Sequence, residues 1–351
     1  MSEAAKIIFD TRRLGGLDGE KAAGLVRLAA QSGVTRFAVS PHYMKGASER
    51  AFIRAVKELP GKISISYKFG RVPGAADTEE HFTREFEAAL TRFSSDAFDM
   101  YTLYDINSFE HWNEYKNEGE VYRAAVGLKR QGKIGRLSIV SCLGAEELSS
   151  VLTERPEIDC VIMPMSPLDM DRRADVMSLC ARLGKTLCAL TPLMGGLFET
   201  YPALIDPIRT EGLTPSQAAL RYVCGAGIPV ICDFSGEEDF LEAMRAVSKD
   251  APEVMKTGVF GEYETFCTGC GLCLMCPIKS SAPTLMAAYN AYIVSGDPDD
   301  MVEYARRAFG QSEYLYNTRK CIGCRLCERV CPRGIKISER IERLKTEAHK
   351  T

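Results

Sequence analysis

Residues 136–164 read RLSIVSCLGAEELSSVLTERPEIDCVIMP. Arg136–Ser141 and Asp159–Pro164 are apolar and β-branched, whereas Ala145–Thr153 between them is amphipathic at helical spacing. Strand, helix, strand is the unit of a parallel sheet, and the same alternation extends in both directions. Further strand-like runs fall at Lys6–Leu14, Arg36–Ser40, Ile63–Lys68, Phe98–Tyr104, Thr186–Thr191 and Pro229–Phe234. Helix-like segments lie at Gly19–Gln31, Ser48–Glu58, Glu79–Phe93, Val121–Gln131, Arg172–Leu183, Pro215–Ala226 and Glu238–Val247, with Ser48 as an N-cap. Eight such units in about 250 residues have the length and rhythm of a (β/α)8 TIM barrel. A doubly wound sheet is the alternative, but no GxGxxG follows the first strand. A barrel over residues 1–255 leaves 256–351 as an appended segment.

The chain has 351 residues, with 46% hydrophobic and 26% charged, as in ordinary globular proteins. A net charge of −3 argues against nucleic acid as the main partner. The N-terminal stretch lacks a signal-peptide layout and no run is long enough to span a membrane, so a cytoplasmic protein is expected. Of fourteen cysteines, Cys142, Cys160, Cys180, Cys188, Cys224 and Cys232 are scattered, and the other eight form two tight groups. Such clustering points to metal rather than disulfides.

The first group is Cys267-Thr-Gly-Cys270-Gly-Leu-Cys273-Leu-Met-Cys276-Pro277, and the second is Cys321-Ile-Gly-Cys324-Arg-Leu-Cys327-Glu-Arg-Val-Cys331-Pro332. The second fits the bacterial ferredoxin run C-x2-C-x2-C-x3-C-P, in which the fourth cysteine ligates the other cluster. This assigns Cys267, Cys270, Cys273 and Cys331 to one 4Fe-4S cluster, and Cys276, Cys321, Cys324 and Cys327 to a second. The first group is one residue short before its Cys-Pro, so Cys276 departs from the pattern. Zinc ribbons also use CxxC pairs, but they have no use for a third CxxC step or a trailing proline. The appended segment therefore reads as a small, mostly helical ferredoxin-like domain with a helical insert at 277–320. In that insert Ala282–Val294 and Asp299–Phe309 are helix-like, broken at Gly296-Asp297-Pro298. Residues 319–351 hold ten Lys/Arg against four Asp/Glu. Local compensation of an anionic cluster is the simpler reading, and a docking face for an acidic ferredoxin the other.

In a barrel, functional residues sit just after each strand. There the chain resembles the aldo/keto reductase family. FAVSPHYMKGASE at 37–49 is similar to F-D-T-A-x-x-Y-x-x-G-x-S-E, and Lys68 falls at the strand-end lysine. Phe98–Tyr104 resembles D-x-x-x-L-H, Gly132–Ser141 resembles G-K-I-R-x-I-G-V-S-N, and Thr191-Pro-Leu-Met-Gly-Gly resembles the subfamily with a C-terminal double-cluster extension. That subfamily also has the shorter C-x2-C-P group.

The resemblance implies an oxidoreductase acting on a small organic substrate, with an Asp, Tyr, Lys, His tetrad and NAD(P)H. Tyr43 and Lys68 match, but Ala38 stands at the Asp position and Tyr104 at the His position. Tyr43 is then the expected acid, its pKa lowered by Lys68. Tyr104 can hydrogen-bond a substrate oxygen, and His42 is a further candidate. Ser141 and Cys142 occupy the nicotinamide-contacting positions, with Cys142 in place of the family's Asn. The acidic run Asp233–Asp239 is hostile to a 2′-phosphate, so NADH is expected over NADPH if a nicotinamide binds at all. Otherwise electrons pass through the clusters, exchanged with a ferredoxin, flavoprotein or larger redox complex. The alternative is an electron-transfer subunit whose barrel is an inactive scaffold.

Overall fold

A computed structural model describes residues 6–57, 59, 63–68, 78–106, 108–115, 119–248, 265–269, 273, 276–331 and 333–348. Eight strands close into a barrel in chain order: β1 (Ile7–Asp10), β2 (Arg36–Val39), β3 (Ser64–Lys68), β4 (Phe98–Ile106), β5 (Ile134–Ser141), β6 (Ile158–Pro164), β7 (Thr186–Leu190) and β8 (Val230–Asp233). Every pairing is parallel, so each strand is covered on both faces. Residues of one parity fill the lumen, among them Ile8, Ala38, Met100, Val140, Ile162 and Ile231. Residues of the other parity, such as Phe9, Phe37, Tyr67 and Tyr101, pack outward against the helices. That two-sided burial is why the strands read as continuous apolar runs.

Four scattered cysteines belong to this packing. Cys160 and Cys188 lie in the lumen with sulfurs 3.6 Å apart, and Cys180 and Cys224 are buried under the helices. They act as small apolar residues.

Two local expectations are corrected. The first strand does not run to Leu14. It ends at Asp10, and a 3-10 turn over Thr11–Gly16 follows. Ser48 is not an N-cap, because the left-handed backbone at Met44, Lys45 and Gly46 starts the helix Ala47–Val56 one residue earlier. Its hydroxyl instead donates to the Arg12 carbonyl (2.7 Å) and accepts the Gly15 amide (3.1 Å), tying the turn after β1 to that helix.

Helices Ala282–Ser295, Pro298–Phe309, Gln311–Arg319 and Ile337–Ala348 surround a second core that includes Leu285, Tyr289, Met301, Tyr314 and Leu344. The break at 296–298 is as expected, with Gly296 at φ +75° closing one helix and Asp297 capping the next. Helix Gln311–Arg319 was not legible, because it lacks an apolar stripe. Tyr314 anchors it, buried and donating to the Leu344 carbonyl at 3.3 Å. The expected domain boundary at 255/256 lies outside the described residues.

Arg333 fastens this second unit to the barrel. Its two terminal nitrogens meet Asp169 at 2.9 and 2.8 Å, with side-chain exposures of 5% and 1%. Asp169 follows β6, where it completes a capping box with Ser166 and also binds Arg172. Burial works against the carboxylate, but Arg333, Ser166 and Arg172 hold its pKa well below the usual range. Arg333→Met is expected to cost about 3 kcal/mol of unfolding free energy, the low end for breaking a buried pair because Arg172 remains. Denaturant unfolding measures this, and an unchanged midpoint would contradict it.

Candidate functional site

The barrel logic places chemistry at the C-terminal strand ends, and charged groups gather there. Asp10 ends β1 and pairs in register with Ala38 of β2 and Asp233 of β8. Lys68 ends β3 and binds Asp105 of β4 at 2.6 Å. The lysine therefore takes its carboxylate from β4 rather than from position 38. Asp233 receives Arg12 at 2.9 Å and Arg13 at 2.7 Å. Burial raises its pKa, but the two guanidiniums outweigh that and hold it below the usual value.

Asp10 behaves in the opposite way. It is 3% exposed and accepts the Arg12 amide at 3.0 Å. Burial pushes its pKa up to about 6, with Arg12 opposing and Asp233 reinforcing. Its proton is thus exchangeable near neutral pH. The sequence carried a signal for Asp10, since it is an ionisable residue at a strand end, but an overlong first strand concealed it.

Tyr43 reverses an expectation. Burial first, then Asp10, Asp105 and Asp233, raise its phenol well above the ordinary value, and Arg12 only partly offsets them. The net direction is upward, and Lys68 is bound to Asp105. Tyr43 and Lys68 share this cluster of charges, whereas His42 is exposed, with its amide on Ser40 Oγ at 3.2 Å. The side chain of Tyr104 lies outside the described residues. Ser141 is buried and its hydroxyl accepts the Leu143 amide at 3.2 Å. Burial lifts Cys142 to about 11, with Arg173 opposing, Cys331 reinforcing and Arg333 opposing, so the end of β5 faces the last cysteine of the second group.

A cavity of about 710 Å³ opens beside this cluster, between the ends of β7 and β8. Arg12, Arg13 and Asp233 form one wall, and Thr268 and Gly269 of the first cysteine group form another. The approach is close: a Cβ on Gly195 would stand 2.1 Å from the Thr268 carbonyl oxygen. Cys232, which also borders the cavity, is buried with its thiol pKa pushed well up by desolvation.

Nicotinamide phosphates fit this cavity poorly. The helix Glu237–Val247 begins with Glu237, Glu238 and Asp239, whose carboxylates occupy the positive end of its dipole. Asp239 accepts the amide and hydroxyl of Ser235, so a carboxylate already stands at the start of this helix. Glu199 and Glu242 add further negative charge, and both arginines are committed to Asp233. Thr191 Oγ1 and Thr268 Oγ1 are buried without a hydrogen-bond partner among the described residues, and both residues border the cavity. The wall thus suits an uncharged or cationic hydrogen-bonding molecule better than a polyanion.

Cys276, Cys321, Cys324 and Cys327 border one small cavity in the second unit, although no three of them close to the spacing of a single metal ion among the described residues. Burial, then Glu328, Cys321 and Cys276, push Cys327 up to about 12, the crowding of donors that a metal centre would relieve. Cys273 and Cys331 lie in the second core with Cys267 packed beside them. Asn290 fixes Cys267 by bonds to its amide (2.9 Å) and carbonyl (2.8 Å). Cys270 lies outside the described residues. All-thiol sets of this spacing fit 4Fe-4S clusters.

The sequence profile of the aldo/keto reductase family matches residues 6–254, and that of a 4Fe-4S binding domain matches residues 314–336, which span the second cysteine group. Comparison with curated proteins finds no match. Among solved structures, the aldo-keto reductase AKR11C1 from Bacillus halodurans, in its holo form, is 18% identical with a TM-score of 0.59, over 71% of this chain and 88% of that one. An aldo/keto reductase from Klebsiella pneumoniae, solved with NADP and acetate, is 20% identical with a TM-score of 0.58, over 72% and 88%. The thermostable aldo-keto reductase Tm1743, bound to the inhibitor epalrestat, is 22% identical with a TM-score of 0.57, over 69% and 89%. At these identities the likeness is one of fold. Among the described residues no helix is long and apolar enough to cross a membrane.

Asp10 yields a pH prediction. A folded pKa of about 6 against 3.8 means the native state binds the proton more tightly, so stability falls as pH rises between those values. Asp10→Asn should remove that slope and be more stable than the parent by about 1–3 kcal/mol at neutral pH, with little difference at about pH 4. Parallel denaturation curves at the two pH values test it.

Proposed function

The chain belongs to the aldo/keto reductase family, and from that premise we propose that it is an iron–sulfur oxidoreductase whose barrel mouth converts a small organic substrate. Its electrons pass through two 4Fe-4S clusters of residues 256–351 rather than through a nicotinamide. The observation that carries this reading is the cavity wall shared by Thr268 and Gly269 with Arg12 and Asp233. Cys267, Cys270, Cys273 and Cys331 would hold the cluster nearer the barrel, and Cys276, Cys321, Cys324 and Cys327 the distal one. When bound, such clusters supply or accept electrons one at a time.

The barrel residues supply protons and orientation. Asp10, with a pKa of about 6, holds and releases a proton at the rim near neutral pH. Tyr43 keeps its proton over the physiological range and acts as a hydrogen-bond donor to a substrate oxygen. Lys68, fixed by Asp105, sets a positive charge beside them. The unpartnered hydroxyls of Thr191 and Thr268 favour a substrate with hydrogen-bonding groups and no phosphate. The residue 38 alanine supports a second reading, an electron-transfer subunit with an inactive barrel. The proton-exchanging Asp10 favours the enzyme.

Iron analysis tests the cluster assignment at its weakest ligand. The wild-type chain should carry about eight iron atoms, four in each of two clusters, and Cys276→Ala about four, with one EPR signal of the reduced protein lost. Retention of both clusters in Cys276→Ala would exclude it as a ligand. Zinc in place of iron would overturn the proposal.

A further inference from the structure

The proposed function leaves open where electrons enter or leave, and the surface over the distal cysteines bears on that. Their cavity is bounded on the solvent side by Ile322, Arg325 and Leu326. These are exposed residues: Ile322 is 68% exposed, Leu326 37%, and Cys324 itself is exposed. Tyr316, 60% exposed, extends the apolar surface, and Lys320 lies over its ring at 3.9 Å. Single exposed apolar residues need no explanation. Here, however, three of the large exposed apolar side chains among the described residues fall within eleven positions of one another, and two of them, Ile322 and Leu326, lie over a cavity lined by thiols.

The rim of this patch is cationic. Arg319, Lys320, Arg325 and Arg329 flank it in sequence, Arg325 borders the cavity, and among the described residues Arg319, Lys320 and Arg325 have no carboxylate partner. Glu328, the carboxylate nearest in sequence to Arg325 and Arg329, accepts the amide (2.8 Å) and hydroxyl of Ser338. Charge compensation of a bound cluster would not require apolar side chains held in water. Exposed apolar side chains flanked by a run of cations are instead the pattern of a transient protein interface.

We infer that this patch is the docking site for a small acidic one-electron carrier protein of the ferredoxin type. The inference rests on the proposed function, which puts a redox centre beneath the patch. The carrier's negative face meets the rim of Arg319, Lys320 and Arg325, and Ile322 and Leu326 fill the desolvated centre. Ile322, Arg325 and Leu326, with the exposed Cys324, then lie between the thiol-lined cavity and the partner. One electron crosses per encounter, and the carrier departs with its oxidation state changed by one.

The test uses anaerobic, cluster-replete full-length protein and an acidic two-cluster bacterial ferredoxin, with binding followed by biolayer interferometry at low and high salt. Iron content and EPR are recorded for every sample. Affinity should fall as salt rises, and Lys320→Glu with Arg325→Glu should weaken Kd by about tenfold or more at unchanged iron content. Ile322→Ser should weaken it without changing the salt dependence. Binding that ignores all these substitutions, or no binding by protein with full clusters, overturns the docking site and leaves the proposed function standing. Self-association abolished by the same substitutions would assign the patch to a second copy of the chain and also overturn it. A wild-type chain without iron would overturn the proposed function and this inference with it.

Discussion

Arg333 and Asp169 meet where water is nearly absent, and the rest of the arrangement depends on that contact. A bidentate guanidinium–carboxylate pair fixes orientation as well as distance. Because Arg333 is two residues beyond Cys331, and Asp169 follows β6, the pair sets the second cysteine group against the barrel mouth. The first group is set independently by the close approach of Thr268 to Gly195, which leaves no room for a side chain. Two fixed points at separate strand ends define how the appended unit sits. One buried ion pair would be a weak stability argument on its own. Its value here is positional.

The charge pattern of the rim follows from the same crowding. Four acidic or basic strand-end residues, Asp10, Lys68, Asp105 and Asp233, share a small volume with Arg12. Asp233 is held ionised by two guanidiniums and Lys68 is bound to Asp105, which leaves Asp10 as a buried carboxyl without a cation in direct contact among the described residues. The environment thereby separates the pKa values of neighbouring carboxyls, a recognised means of dividing acid and base roles. Farther out, Asp239 sits in the first turn of its helix and accepts the Ser235 amide. The family fold is retained, and this end of the barrel is lined by carboxylates.

The barrel was legible because two-sided burial imposes continuous apolar strands, and each strand–helix unit repeats the signal. The cysteine groups were legible because metal ligation imposes spacing. The less regular features were not. Helix Gln311–Arg319 depends on one tertiary anchor, Tyr314, and has no periodic face. Asp10 was hidden because a 3-10 turn of mixed residues resembles a strand continuation in sequence. The partnership of Lys68 with Asp105 joins different strands, and the raised pKa of Tyr43 comes first from burial and then from carboxylates on other strands, partly offset by Arg12. Neither has a local signature. Arg333 looked like one of ten basic residues in a cationic tail, and only the fold distinguishes the one that is buried.

The central claim is that electrons reach the barrel mouth through iron–sulfur clusters and not from a nicotinamide. Its most direct test is an anaerobic titration of the cluster-replete chain with NADH, NADPH and dithionite, followed by visible bleaching and EPR. Dithionite should reduce the clusters, while neither nucleotide should bleach them or bind measurably by calorimetry. Stoichiometric nucleotide binding with cluster reduction would contradict the account, whichever nucleotide produced it.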